Sequence, residues 1–411
     1  MNTGAAMAGL GLLIALFGVP LTWANLRRTR TERTVGYFER VNEHVRLRQS
    51  RLRALAGAGI RPEWQADEIP MLTKVGWVLP GPVLLDSIRL EREPEGRDEQ
   101  FAEIRSRARR MMPRKRDGTR YAGYSGALVE LAGMTQLYNG WIYRPTGVVA
   151  EGGTLRLSFA GGHYFDHLDT TEVLAYEAAI NDLAGRATVE GAYRRFLRDP
   201  FDLGRRGTSL GVVVLTIRVS DDECGFYMHL RDERRVAAAP DTTHVIPAGE
   251  FTPADRDLGS RTRDFDLWHT VMREYAEEFL DVEESYGRGG RPLDYENEWP
   301  FRELVAARAR GELRPHVLGI GLDPLTWKLE LLLVCVFDDS AFDTLFAKIV
   351  QRGKEGTIVV GPKGHGIPFE AESVDRYVHD ASTRNAAQAC LMLAWRHRVG
   401  LGLVHDLPAG G

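Results

Sequence analysis

Two apolar runs constrain the fold most. Leu210–Val219 reads LGVVVLTIRV and Thr326–Phe337 reads TWKLELLLVCVF. Runs this rich in branched aliphatic residues fit strands buried inside a sheet. Asp323-Pro324 supplies a turn between the second run and a further strand, His316–Leu322 (HVLGIGL). Shorter strands are expected around Val148, Leu155, Leu157 and Phe159, and at FYMHL and RRVAAA. Helical spacing marks 170–183, 264–284, 340–351, 371–379 and 385–397. Strands interspersed with helices, without regular βαβ alternation, predict a mixed α+β fold. No internal repeat at a solenoid period is present.

The N-terminus predicts something different. Gly4–Ala24 carries no charge. At ~1.5 Å per residue it reaches ~30 Å, the thickness of a bilayer core. Arg27, Arg28, Arg30 and Arg33 follow it, and no charged side chain precedes it. The expectation is one transmembrane helix over 4–24, with the C-terminal domain in the cytoplasm at the cell membrane. Residues 25–59 then read as a basic juxtamembrane helix, with nine Arg against three Glu between Arg27 and Arg53. Two readings of that helix stand together: a surface drawn to anionic lipid, and a solvated stalk that self-associates into a homo-oligomer.

Four prolines between Ile60 and Leu90, then a charged stretch, predict a linker over 60–120. Arg105–Arg120 holds eight basic residues and one acid. It has no interleaved aromatics, and the whole chain has a net charge of -4, so nucleic acid is not an expected partner. The rest divides into an intermediate α+β region over 121–205 and a C-terminal domain over 206–405.

The three cysteines, Cys224, Cys335 and Cys390, are far apart and form no CxxC. That argues against a disulfide framework or zinc site. His163, Asp166, His167 and Asp169 cluster in SFAGGHYFDHLDTTE, which reads best as a strand-to-helix junction capped at Thr170 or Thr171. GPKGHGIPF lacks the Gly-Lys-Ser/Thr ending of a P-loop.

Candidate chemistry lies in FDLWHTVMREYAEEFL (Phe265–Leu280). Phe265, Trp268, Met272, Tyr275 and Phe279 form an apolar helical stripe. Glu274, Glu277 and Glu278 share a face largely opposite it. Such a face is either solvated or shared with a hard cation such as Mg²⁺ or Mn²⁺.

Arg273-Glu274-Tyr275-Ala276-Glu277-Glu278 resembles the REUxEE core of the Nudix box. His244-Val-Ile-Pro-Ala-Gly-Glu250 resembles the strand and loop that open that motif, with Gly249 at its first glycine and Glu250 beside it in a substrate loop. The resemblance spans roughly 210–337. It implies a Nudix-like mixed sheet with flanking helices, in which Glu274, Glu277 and Glu278 bind Mg²⁺ or Mn²⁺ and Arg273 orients them. It further implies a nucleotide ligand and metal-assisted attack of water on a nucleoside-diphosphate linkage. The chain departs from the pattern at three places. Phe265 stands where the box has a glutamate, the loop from Gly249 to Arg273 is longer, and Phe279-Leu280 replaces the x-Gly ending. One membrane helix followed by a divergent domain of this kind also resembles membrane-anchored Nudix-like effector proteins of bacteria. Two functions follow as expectations: a metal-dependent pyrophosphohydrolase, or a catalytically degenerate module that senses a nucleotide and signals through the membrane helix. A third, a scaffold without a small ligand, stays open beside them.

Overall fold

A computed structural model describes residues 34–94, 101–135, 137–231, 242–255, 257–282, 292–347, 356–361 and 365–403. Thirteen strands occur among them. They are β1 (Val78–Leu84), β2 (Arg89–Arg92), β3 (Trp141–Glu151), β4 (Thr154–His163), β5 (Leu210–Val219), β6 (Cys224–Phe226), β7 (Met228–Arg231), β8 (Thr243–Val245), β9 (Ala248–Glu250), β10 (Leu313–Leu322), β11 (Leu329–Asp338), β12 (Gly356–Val359) and β13 (Ile367–Pro368). A seven-stranded sheet runs β1-β10-β11-β5-β6-β13, with β9 also paired to β5. β11 and β5 are parallel, from Leu329↔Leu210 to Asp338↔Val219, and the other pairs of this sheet are antiparallel. β12-β7-β8 and β2-β4-β3 form two smaller sheets.

The two apolar runs are β5 and β11, at the centre of the large sheet and buried along nearly their whole length. Period-two alternation sends their side chains to opposite faces. Leu210, Val212, Val214, Leu331, Leu333 and Cys335 enter one core. Val213, Leu215, Ile217, Leu332, Val334 and Val336 enter the other. Helices cover each face. The first core takes α4 (Leu267–Leu280), α5 (Phe301–Ala309) and α6 (Asp339–Phe346). The second takes α7 (Ala371–His379) and α8 (Asn385–Arg396). The fold is thus α+β with mixed sheets.

The N-terminal expectations are corrected. Gly4–Ala24, which carried the transmembrane helix, the bilayer contact and the membrane localisation, lies outside the described residues. Among the described residues no helix is long and apolar enough to cross a membrane. Even α4, with 14 residues, rises only ~21 Å, short of the ~30 Å needed. The single-pass membrane assignment, with its cytoplasmic C-terminal domain, is therefore withdrawn.

The basic helix is no free stalk. Residues 34–47 are helical, and α1 (Gln49–Ala58) follows after a turn at Arg48. Phe38, Val41, Leu52 and Ala56 are buried in the first core. There Phe38 meets Tyr124 and Tyr176 at ring distances of 6.1 and 5.3 Å. Tyr176 belongs to α2 (Val173–Leu183). Two of its basic groups are tied to the rest of the fold, one at the surface and one inside. Arg51 pairs with Asp182 at 2.8 Å, and Arg53 is buried and donates to the Thr383 carbonyl at 3.0 Å.

The expected linker over 60–120 contributes β1 to the large sheet and β2 to a small one. Its basic run folds onto its own surroundings. Arg105 pairs with Asp166, Arg107 lies 4.7 Å from the Phe196 ring, and Lys115 lies 4.6 Å from the Tyr121 ring. One continuous core holds residues of both 121–205 and the C-terminal part.

Candidate functional site

α4 carries the candidate residues. Asp266 caps it, its carboxylate accepting from the Trp268 and His269 amides at 2.7 and 3.4 Å. Asp281, at φ 53°, ends it in the left-handed region. Trp268, Met272, Tyr275 and Phe279 are buried as the spacing predicts. The Tyr275 hydroxyl lies 2.8 Å from that of Thr216 on β5. α4 begins at Leu267, three residues after the expected start, and a separate short helix, α3 (Leu258–Arg263), precedes it.

Arg273 serves as a brace. It donates to the Thr252 carbonyl at 2.6 Å and to the Tyr295 hydroxyl at 2.8 Å. Tyr295 donates in turn to Asp264 at 3.1 Å, and Asp264 accepts from the Ala254 amide at 2.8 Å. Asp264 is fully buried, so this chain ties the long loop after β9 to α4 from within. Burial pushes the Tyr295 phenol up to about 12, which keeps its proton in place for donation. Beneath it His269 stacks on the Tyr295 ring at 3.9 Å.

Two of the three glutamates lie against different neighbours. A methyl group on Gly249 would stand 1.9 Å from the Glu274 carboxyl carbon, so Glu274 lies directly against the glycine backbone. Glu278 lies 3.9 Å from His229 Nδ1, and both side chains are 5% exposed. His229 on β7 stands opposite His244 on β8, and both are buried. Glu277 remains half-buried on the same helix. Among the described residues no group of three or more His, Cys, Asp or Glu side chains is arranged to hold a metal ion.

Glu250 turns away from this face. Gly249 pairs with Val212, whose side chain enters the first core, whereas Glu250 pairs with Gly211. Glu250 therefore points to the opposite side of the sheet, where Lys328 Nζ meets it at 2.5 Å. Lys328 also reaches Glu330 at 3.4 Å. The ammonium spans the space left by Gly211, whose added methyl group would stand 1.7 Å from Glu330 Oε2. Burial opposes the Glu250 charge, but Lys328, His167 and Ser209 together outweigh it and hold the carboxyl below its usual range. Burial pushes Glu330 up. Burial also opposes the Lys328 charge, yet Glu250 and Glu330 raise the ammonium above its usual value. Gly249 and Glu250, adjacent in the expected substrate loop, thus serve different faces.

The His163–Asp169 cluster is a junction. β4 runs directly into a helical turn at Tyr164. The hydroxyls of Thr170 and Thr171 both donate to the Gly207 carbonyl, at 3.0 and 2.8 Å. These hydroxyls tie two segments together and do not cap a helix. Tyr295, His229 and Lys328 are members that sequence reasoning did not single out, and His244 was read only as the start of the strand before Gly249. Tyr295 meets Arg273, His229 meets Glu278 and Lys328 meets Glu250 across 22 or more residues of chain. Asp264 was visible beside Phe265, but its bond to Ala254 was not.

No known family and no curated protein matches the chain.

Proposed function

We propose that this chain is a Nudix-like module that binds a nucleotide without turning it over. The separate engagement of the box carboxylates carries this reading: Glu274 rests on Gly249 and Glu278 faces His229. A cation bridging phosphate oxygens needs several oxygen ligands converging on one point, and among the described residues no group of three or more His, Cys, Asp or Glu side chains is so arranged. The Nudix resemblance is supported by the mixed sheet with helices on both faces. It is supported also by the location of Arg273–Glu278 on a helix packed against the strand of Gly249. Binding without turnover fits an effector that responds to a nucleotide.

The test uses the full chain and a panel of nucleoside mono- and diphosphates, with Mg²⁺, with Mn²⁺ and with chelator. The expected result is thermal stabilisation by one or more nucleotides with chelator present, and no product in any condition. Metal-dependent hydrolysis that disappears in a Glu277→Gln, Glu278→Gln double variant would establish the hydrolase instead. Flat melting curves across the panel, with no product in any condition, would defeat both readings.

A further inference from the structure

A cavity of about 240 Å³ opens between the β2-β4-β3 sheet and the α3–α4 junction. The loop that lengthens the Nudix-like box supplies one wall of it, through Arg261 and Phe265. The small sheet supplies the other, through Trp141, Tyr143 and Phe159. Resting on the nucleotide-binding reading, we propose that this cavity is where the base is held, and that it takes a nucleoside monophosphate.

Four aromatic rings meet there edge to face. Trp141 and Tyr143 are 4.9 Å apart at 88°, Tyr143 and Phe265 5.1 Å at 63°, and Phe159 and Phe265 5.6 Å at 87°. Tyr143 and Phe159 are 1% exposed, whereas Trp141 and Phe265 are only partly buried and form the surface on which a flat group can stack. One such group already lies there. The exposed Arg92 places its guanidinium 4.8 Å from the Phe265 ring and 5.9 Å from that of Tyr143. A planar base can use the same surface, because stacking on aromatic rings tolerates any base.

The cavity has polar groups to match. The Arg261 guanidinium lies 4.8 Å from the Trp141 ring. Its Nε is buried without a hydrogen-bond partner, a charged donor whose desolvation an anionic ligand would compensate. The Arg261 carbonyl accepts from the Tyr143 hydroxyl at 3.0 Å and from Arg92, which fixes the residue in position. Glu93 at the rim offers an acceptor to an exocyclic amine. The volume falls below the ~300 Å³ at which clefts for larger ligands begin. One base with the near part of its sugar fits, and a dinucleotide does not. Phe251 links the cavity to the candidate helix. Its ring is 4.5 Å from that of Tyr143 and 5.7 Å from that of Phe265, and it lies two residues after Gly249.

The experiment measures binding of AMP, GMP, CMP, UMP, adenosine and ribose 5-phosphate to the full chain by calorimetry. The variants are Trp141→Leu, Phe265→Leu and Arg261→Met, each checked for an intact fold by its melting curve. At least one monophosphate should bind. Either ring variant should weaken it by roughly 10-fold, the equivalent of losing one stacked base. Arg261→Met should weaken the monophosphate by a similar factor and leave adenosine almost unchanged. Undiminished binding in all three cavity variants would overturn the cavity assignment while the nucleotide-binding reading stands. Ribose 5-phosphate binding as tightly as AMP would overturn base stacking. No binding by any of the six compounds would overturn the inference, and flat melting with the diphosphates as well would remove the function it rests on.

Discussion

Gly249 shows how a single residue sets the candidate site. The Glu274 carboxyl occupies the place a side chain would take. Gly249→Ala should therefore cost about 1–3 kcal/mol by overpacking, read by urea denaturation. Adding Glu274→Ala should recover most of that loss, since it removes the colliding group. An additive double variant would show that the two residues do not press on each other. His269 makes a second, pH-dependent claim. Burial lowers its pKa, against the raising influence of Asp266, the Arg263 carbonyl and Asp264, while Arg273 lowers it further. A folded value below the unfolded ~6.5 means that its stabilising contribution is complete above ~6.5. The contribution is lost as pH falls through the folded value. The parent should lose more stability between about pH 8 and pH 5 than His269→Phe, which keeps a ring against Tyr295 but cannot titrate. Equal losses would sink the assignment.

At the scale of elements, β5 and β11 meet as parallel central strands, and their ends carry the Glu250–Lys328–Glu330 cluster on the face away from α4. Lys328 is the cation that both carboxyl groups share. Lys328→Met should cost about 3 kcal/mol, because it leaves the Glu250 charge without its partner in a largely enclosed position. Lys328→Met with Glu250→Gln should be closer to the parent, since the one carboxyl then left without the ammonium is Glu330, which burial already pushes toward its neutral form. Thermal melts of the three variants decide this. Strand identity here was legible from the sequence, because an unbroken apolar run reports burial on both faces locally. The pairing of β5 with β11 was not, because it joins segments more than a hundred residues apart and no local signal encodes a partner. The apolar stripe of α4 was equally legible, since helical periodicity is a property of the segment itself. Its limits were less so. Asp266 as cap and Asp281 in the left-handed region depend on how the chain enters and leaves the core.

Across the whole molecule, the first core draws on residues from Phe38 to Ile358, so the N-terminal helices belong to the same folding unit as the box. Leu52→Ala should lower the stability of the entire chain by roughly 2–5 kcal/mol, as a cavity in a shared core does. The check is hydrogen exchange at β5 and β11, which should accelerate with the variant. A change confined to residues near α1 would instead mean that the helix is an appendage. The sequence by itself determined the α+β class, the central strands, the amphipathic candidate helix and the grouping of Arg273 with three glutamates, because each is written in spacing along one short segment. Only the tertiary structure decided that the basic helix and the proline-rich stretch are part of the core, and that Glu250 turns away from Gly249. It also decided that Glu274 and Glu278 take separate partners, and that a lengthened loop closes an aromatic cavity. Those outcomes depend on which distant side chains the packed core brings together.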